Sequence, residues 1–215
     1  MRYFPARPHD RAACHPLRVA ASDDSGAEGI SRSRIEGISD GVIAVAITLL
    51  VLGVEAPIPE PGESLWNALD SGTLNSLALF VLSFAVIARF WMVHHGVLRD
   101  LPERVPAGIV VLNFAFLMMV CLIPFSTTLF DRNPQDMLAL VLYAATFALV
   151  SLLTALIGLG ASGHLTLRQL AVPVVFLLAI PIGLVFGPTY APCAWALLFL
   201  FASDRIDDTL ARRVR

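Results

Sequence analysis

The residues of this chain that could do chemistry stand at the ends of long apolar blocks. Arg34, Glu36, Ser39 and Asp40 open the first block, Trp91, His94 and His95 close the second, and Asn113 lies near the beginning of the third. Polar and charged groups inside segments that cross a bilayer are costly and usually mark a function. A set of Arg, Asp, His, Trp and Asn side chains can satisfy its own hydrogen bonds while tying three helices together. Two readings follow from the residues alone: a polar brace that fixes helix packing, and a gate or coupling network. A metal site at His94 and His95 has poor geometry. Adjacent helical residues point about 100° apart and do not converge on one ion as an i, i+4 pair does.

Beyond its polar start, the first block is apolar all round and is interrupted by one hydroxyl, Thr48. Val45, Thr48, Leu49 and Leu52 follow the i, i+3, i+4, i+7 pattern and share one helical stripe. Gly41, Ala44 and Ala46 are small enough to permit close helix approach. Taken alone, such a stripe is more often a packing seam than a pore, and the Thr48 hydroxyl can bond back to the carbonyl of Ala44.

The elements that must position these groups are membrane spans. The chain is 57% hydrophobic and 15% charged, against about 25% charged residues in a soluble domain. So few charges could not cover a soluble surface. The apolar residues fall in blocks near the roughly 20-residue length of a span. Six are predicted: about Ile35 to Val54, Thr73 to Val93, Ala107 to Phe130, Met137 to Gly160, Leu167 to Phe186 and Thr189 to Ser203. The fifth carries Pro173 and Pro181, and the sixth is short and opens between Pro188 and Pro192. The fold class predicted is all-α, a polytopic membrane protein of six transmembrane helices. Residues 1–30 have no periodic apolar run and read as a disordered cytoplasmic tail. Residues 31–205 form the membrane domain, and 206–215 form a short C-terminal tail.

Arginine placement orients these spans. Thirteen arginines fall in the N-terminal tail, in the connections between blocks two and three and between four and five, and at the C-terminal end. The opposite side has only Arg132, and its first loop carries Glu55, Glu60, Glu63 and Asp70. This bias puts both termini in the cytoplasm of a multi-pass cell-membrane protein. Arg89 is the exception, inside the second block. The arginines are not interleaved with aromatics as a nucleic-acid surface requires. Cys14, Cys121 and Cys193 match no zinc spacing and suggest no disulfide.

The segment Arg34-Ile-Glu-Gly-Ile-Ser-Asp-Gly41, continued by the apolar run to Leu52, resembles the signature of the TMEM175 potassium-channel family in its bacterial form, Arg-x-x-x-Phe-Ser-Asp-Gly. The similarity continues in Ser83-Phe84 through Phe90-Trp91-Met-Val-His94-His95, in Leu112-Asn113-Phe114 and in Leu122-Ile-Pro-Phe-Ser-Thr127. It covers roughly residues 31–205, with blocks four to six alike only in hydropathy. Ile38 departs from the family's usual Phe. The resemblance implies a homotetramer of six-helix subunits in the bilayer, with a pore lined by the first helix and no re-entrant filter loop. It implies that Val45, Leu49 and Leu52 form hydrophobic rings that constrict the pore. Thr48 would supply hydroxyls that favour potassium. Arg34, Ser39, Asp40, Trp91, His94, His95 and Asn113 would form an inter-helix network. No Thr-Val-Gly-Tyr-Gly-type segment is present, so discrimination by hydroxyls alone predicts modest, leak-like potassium selectivity. Glu55 and Glu60 could raise local cation concentration, or simply face water as a solvated loop. No enzyme activity and no cofactor are expected, with potassium the permeant ion. The competing readings are a secondary transporter, a membrane enzyme or metal-handling protein using His94 and His95, and a structural membrane subunit.

Overall fold

The computed structural model describes residues 29–69, 71–165 and 167–192. Helix α1, Arg32–Leu49, continues into a 3-10 turn, Leu50–Gly53. After a loop and the single turn α2, Leu65–Ala68, come α3, Ser71–Arg99, then α4, Ala107–Arg132, and α5, Met137–Ser162. The fifth predicted block is two helices, α6, Leu167–Leu177, and α7, Ala179–Phe186. Among the described residues five stretches are long and apolar enough to cross a membrane: Arg32–Gly53, Gly72–Arg99, Ala107–Arg132, Met137–Ser162 and Gln169–Phe186. The sixth predicted block begins at a 3-10 turn, Pro188–Tyr190. From residue 193 onward it lies outside the described residues, as do positions 1–28 of the N-terminal tail and all of 206–215.

Three expectations are refined. First, the fold is not purely helical. Strand β1, Ile30–Ser31, pairs antiparallel with β2, Arg104–Val105, Ile30 opposite Val105 and Ser31 opposite Arg104. This clip ties the start of α1 to the α3–α4 connection. Second, α3 does not close at the histidines. It runs to Arg99, a 29-residue helix that is about 43 Å long at 1.5 Å per residue. No glycine-proline punctuation stops it, and at that length it exceeds the roughly 30 Å of an apolar layer. Third, the fifth span breaks at Leu178. Pro181 has no N–H for the Leu177 carbonyl and its ring crowds that carbonyl, which interrupts a helix there.

Helix α5 is the hub of the described bundle, packing on α4, α6, α3 and α7. Its Leu140, Tyr143, Ala144, Phe147, Val150 and Ile157 are buried. Asp136 caps its start, accepting from Leu138 N at 2.7 Å and Ala139 N at 3.3 Å. Gly163, at φ 73°, ends it in the left-handed region that favours glycine. Around Phe147 stand Phe90 and Phe176, with centroids at 6.2 and 5.5 Å, and Tyr143 edge-on at 4.9 Å. The Tyr143 hydroxyl shares a 2.9 Å hydrogen bond with Ser83 of α3, and Thr127 of α4 donates to the same Ser83 oxygen at 3.2 Å. All three side chains are buried. In a medium without water, such hydroxyls must find each other.

Ser83 is the shared atom of this triad, so its removal should cost more than that of Tyr143's oxygen. Tyr143→Phe should lower stability by about 0.6 kcal/mol, the mean for an inter-helix hydrogen bond in a membrane. Ser83→Ala removes the oxygen that both other hydroxyls meet and should cost about 1–2 kcal/mol. Thermal unfolding midpoints in detergent check the order. Equal midpoints for the two variants and the parent would remove the triad as a tie between α3, α4 and α5.

Candidate functional site

Two opposite faces of α1 organise the site. One is turned into the protomer: Ile35, Ser39, Ile43 and Ala46 are buried, and Leu50 of the following turn continues that line. Their spacing of three and four residues is one face of a helix. It packs against α4 and α3. The other face carries Arg34, Ile38, Gly41, Val45, Thr48, Leu49 and Leu52, all exposed on the single chain. Val45 is 56% exposed, Leu49 44% and Leu52 76%. The predicted stripe is therefore one surface, outside the protomer core. The Thr48 hydroxyl donates to the Val45 carbonyl at 2.8 Å, not to Ala44. An i−3 partner suits the tightening of the helix toward its 3-10 end. With its proton spent on the backbone, the Thr48 oxygen presents lone pairs outward, as an acceptor.

The buried face is held by the polar residues. Ser39 and Asn113 exchange hydrogen bonds, Asn113 Nδ2 donating to Ser39 Oγ at 3.1 Å and Ser39 Oγ donating to Asn113 Oδ1 at 3.4 Å. Each is 1% exposed. Next to them Trp91 Nε1 donates to Asp40 Oδ1 at 2.7 Å, and the Trp91 ring stacks on His95 with centroids 5.7 Å apart. His94 is buried against Phe116, stacked at 3.9 Å and 12°. Its electrostatic neighbours are Asn113, Asp40 and His95. Neither ring nitrogen meets a partner in good hydrogen-bond geometry. Thus Ser39, Asp40, Trp91, His94, His95 and Asn113 do come together, joining α1 to α3 and α4. Among the described residues no third metal-ligand side chain joins the two histidines.

Arg34 does not join them. It is exposed, and among the described residues it makes no hydrogen bond or ion pair. Arg32, which the sequence pattern did not single out, takes the structural role. Its Nη1 donates to the carbonyls of Arg99 at 3.0 Å and Leu101 at 2.9 Å, and its Nη2 to Glu103 Oε1 at 3.3 Å. Glu36 lies 3.5 Å from its Nε. These carbonyls belong to the open C-terminal end of α3, where a cation is favourable. The signal lay in the position of Arg32 one residue after the β1 clip, which only the pairing of β1 with β2 reveals. At the other end of α1, Arg132 of α4 donates to Glu55 Oε1 at 2.6 Å. Glu55 is therefore a paired carboxylate and not a free loop charge. Just before it, the absence of a side chain at Gly53 lets Thr128 of α4 pack against the turn.

Comparison with known proteins places the same segment in context. The model of the family described as endosomal/lysosomal potassium channel TMEM175 matches residues 34–124. A potassium channel of Streptomyces collinus is 36% identical over 133 residues, which are 62% of this chain and 64% of that protein. The human endosomal/lysosomal proton channel TMEM175 is 32% identical over 148 residues, 64% of this chain and 29% of that protein. The crystal structure of a lysosomal potassium-selective channel TMEM175 homolog from Chamaesiphon minutus superposes with a TM-score of 0.67 at 27% identity, covering 80% of this chain and 97% of that one. The chain thus spans just under two thirds of the Streptomyces relative and less than a third of the human one.

The exchange of roles between Arg32 and Arg34 is measurable. Arg32→Ala should weaken the α3 C-terminal end by about 1 kcal/mol, an exposed charge-assisted contact. Amide exchange over residues 99–105 should then speed up roughly fivefold. Arg34→Ala should leave those amides at the parental rate. The reverse pattern would return the bracing role to Arg34.

Proposed function

We propose that this chain is a member of the TMEM175 family and the subunit of a potassium channel whose conduit is lined by the exposed face of α1. The observation that carries this reading is the character of that face. Beside Ile38 and Leu49, the exposed residues Gly37, Gly41, Ala44, Val45 and Thr48 of α1 are mostly small. The exposed face of α4 is Val111, Phe114, Met118, Leu122 and Phe125, the bulky apolar surface that suits lipid. Small residues on an outward face suit close approach to other helices. Between Arg34 and Glu55 the stripe holds no charge, only apolar side chains and the Thr48 oxygen.

Copies of α1 around a shared axis would stack rings of Val45, Leu49 and Leu52. A ring of leucines closes a conduit by dewetting, without a charged plug. The Thr48 oxygens, already turned acceptor by their bond to the backbone, would replace part of the hydration shell of a passing cation. A few hydroxyl dipoles discriminate less than a carbonyl filter does, so the conductance is leak-like and modestly selective for potassium. The assembly is a homotetramer of six-span subunits without a re-entrant loop. The membrane domain is 31–205 between a cytoplasmic tail at 1–30 and a short one at 206–215, with both termini cytoplasmic and the protein in the cell membrane. Potassium is the permeant ion, and no cofactor takes part. The brace of Ser39, Asp40, Trp91, His94, His95 and Asn113 sets the rotation of α1 about its axis. It thereby decides which residues face the conduit.

Reconstitution into liposomes tests the reading by potassium, sodium and proton flux. The parent should pass potassium down its gradient with no counter-ion and faster than sodium. Leu49→Ala should raise basal potassium flux several-fold by widening the ring. Thr48→Val, nearly isosteric, should keep flux but bring the potassium-to-sodium ratio toward one. A folded parent and a folded Leu49→Ala that both fail to pass potassium would end this assignment.

A further inference from the structure

The outer end of α1 carries a charge arrangement that the conduit itself does not explain. Glu55 follows two residues after the turn Leu50–Gly53, just past Leu52, which is 76% exposed. It is the first charge the chain meets beyond that stripe. Arg132 reaches it from the last turn of α4, Nη2 to Oε1 at 2.6 Å, with the two side chains 62% and 77% exposed. An ion pair this exposed adds little to stability. Its effect is on the field. An unpaired carboxylate at the mouth of an apolar conduit concentrates cations there, and its pairing with a guanidinium removes that effect.

The neighbouring acids do not replace it. Asp131 lies in the crevice between the 3-10 turn and helices α3 and α4, beside Ser76, Thr127 and Thr128, behind the turn and not on the stripe. Asp136 caps α5. Glu60 and Glu63 sit in their own turn, where the Glu63 carboxylate accepts from the Glu60 amide at 3.2 Å, several residues further along the loop.

We propose that Arg132 is a conductance-setting residue: it neutralises Glu55 at the outer mouth, so cations enter from bulk solution and not from a concentrated pool. This rests on α1 lining the conduit. The test is potassium flux through the reconstituted full chain at about 10 mM and at about 1 M salt, where the Debye length is about 30 Å and 3 Å. Arg132→Gln leaves Glu55 unpaired and should raise flux at low salt about threefold; Glu55→Gln leaves Arg132 unpaired and should lower it by a similar factor. The double variant should return to the parent, and at 1 M salt all four proteins should agree. Two single variants that change flux in the same direction, or a difference that persists at 1 M, would make the pair a packing contact and overturn the proposal. A conducting parent with both variants unchanged at low salt would overturn it too, leaving the conduit intact. A parent that passes no potassium would instead defeat the reading of α1. If Arg132→Gln does not fold, Glu55→Gln alone decides by its sign and its salt dependence.

Discussion

The rotational setting of α1 depends on one buried pair, Ser39 with Asn113. Both side chains are 1% exposed and each serves the other as donor and acceptor. In lipid no water competes for these groups, so turning α1 away from α4 would strand two amide or hydroxyl functions in hydrocarbon. A rotation of about 100°, one residue's worth of helix, would do so and would also carry Asp40 away from Trp91. Every exposed residue on the far side inherits its direction from this contact. The direction of the exposed face of α1 is therefore decided by groups that do not stand on it.

Much of this was legible in the sequence because helices in membranes leave a strong imprint. Apolar blocks of span length located five described spans within a few residues, and the 3.6-residue period placed Val45, Thr48, Leu49 and Leu52 on one surface. Polar residues at the same ends of three successive blocks pointed to a cluster, since an up-down-up topology brings those ends together. What could not be read was which side chain in a short run makes the contact. Arg32 and Arg34 are two residues apart, and they differ only in azimuth relative to the end of α3. That end lies six residues beyond where hydropathy alone stops the helix. The hydroxyl triad of Ser83, Thr127 and Tyr143 was equally hidden, because three isolated hydroxyls in different blocks carry no period of their own. Residues 193–203, the rest of the sixth predicted span, lie outside the described residues.

The bundle behind α1 is divided in the same physical terms. Helix α5 has a buried face lined with aromatic rings and carries the apolar core. It needs few polar ties, because its neighbours enclose it. Helix α1 lies at the rim, with half its surface uncovered, and is held instead by polar contacts of defined direction. Dispersion between packed side chains favours proximity but not one azimuth, whereas a hydrogen bond specifies both. A rim helix whose orientation matters is accordingly the place for serine, asparagine, aspartate and tryptophan.

These directional contacts lie within the first half of α1 and just beyond its C-terminal turn, and leave the stretch from Gly41 to Leu52 bare. In its N-terminal half stand the β1–β2 clip, Arg32 on the end of α3, and the Ser39 and Asp40 contacts. Beyond its C-terminal end stand the Gly53–Thr128 approach and the Glu55–Arg132 pair. Between them the inward residues are Ile43, Ala46 and Leu50, which make apolar contact only. Charged groups cost least where water and headgroups can reach them, so a helix anchored at its ends keeps that cost low. The same arrangement frees the ten or so central residues from any polar duty toward their own subunit. Their outward side chains can then vary in size, and Thr48 can present an acceptor oxygen, without disturbing how the helix is held. Separation of the holding groups from the facing groups along the helix axis is what would let a single helix serve both as a structural member and, as proposed, as the wall of a conduit.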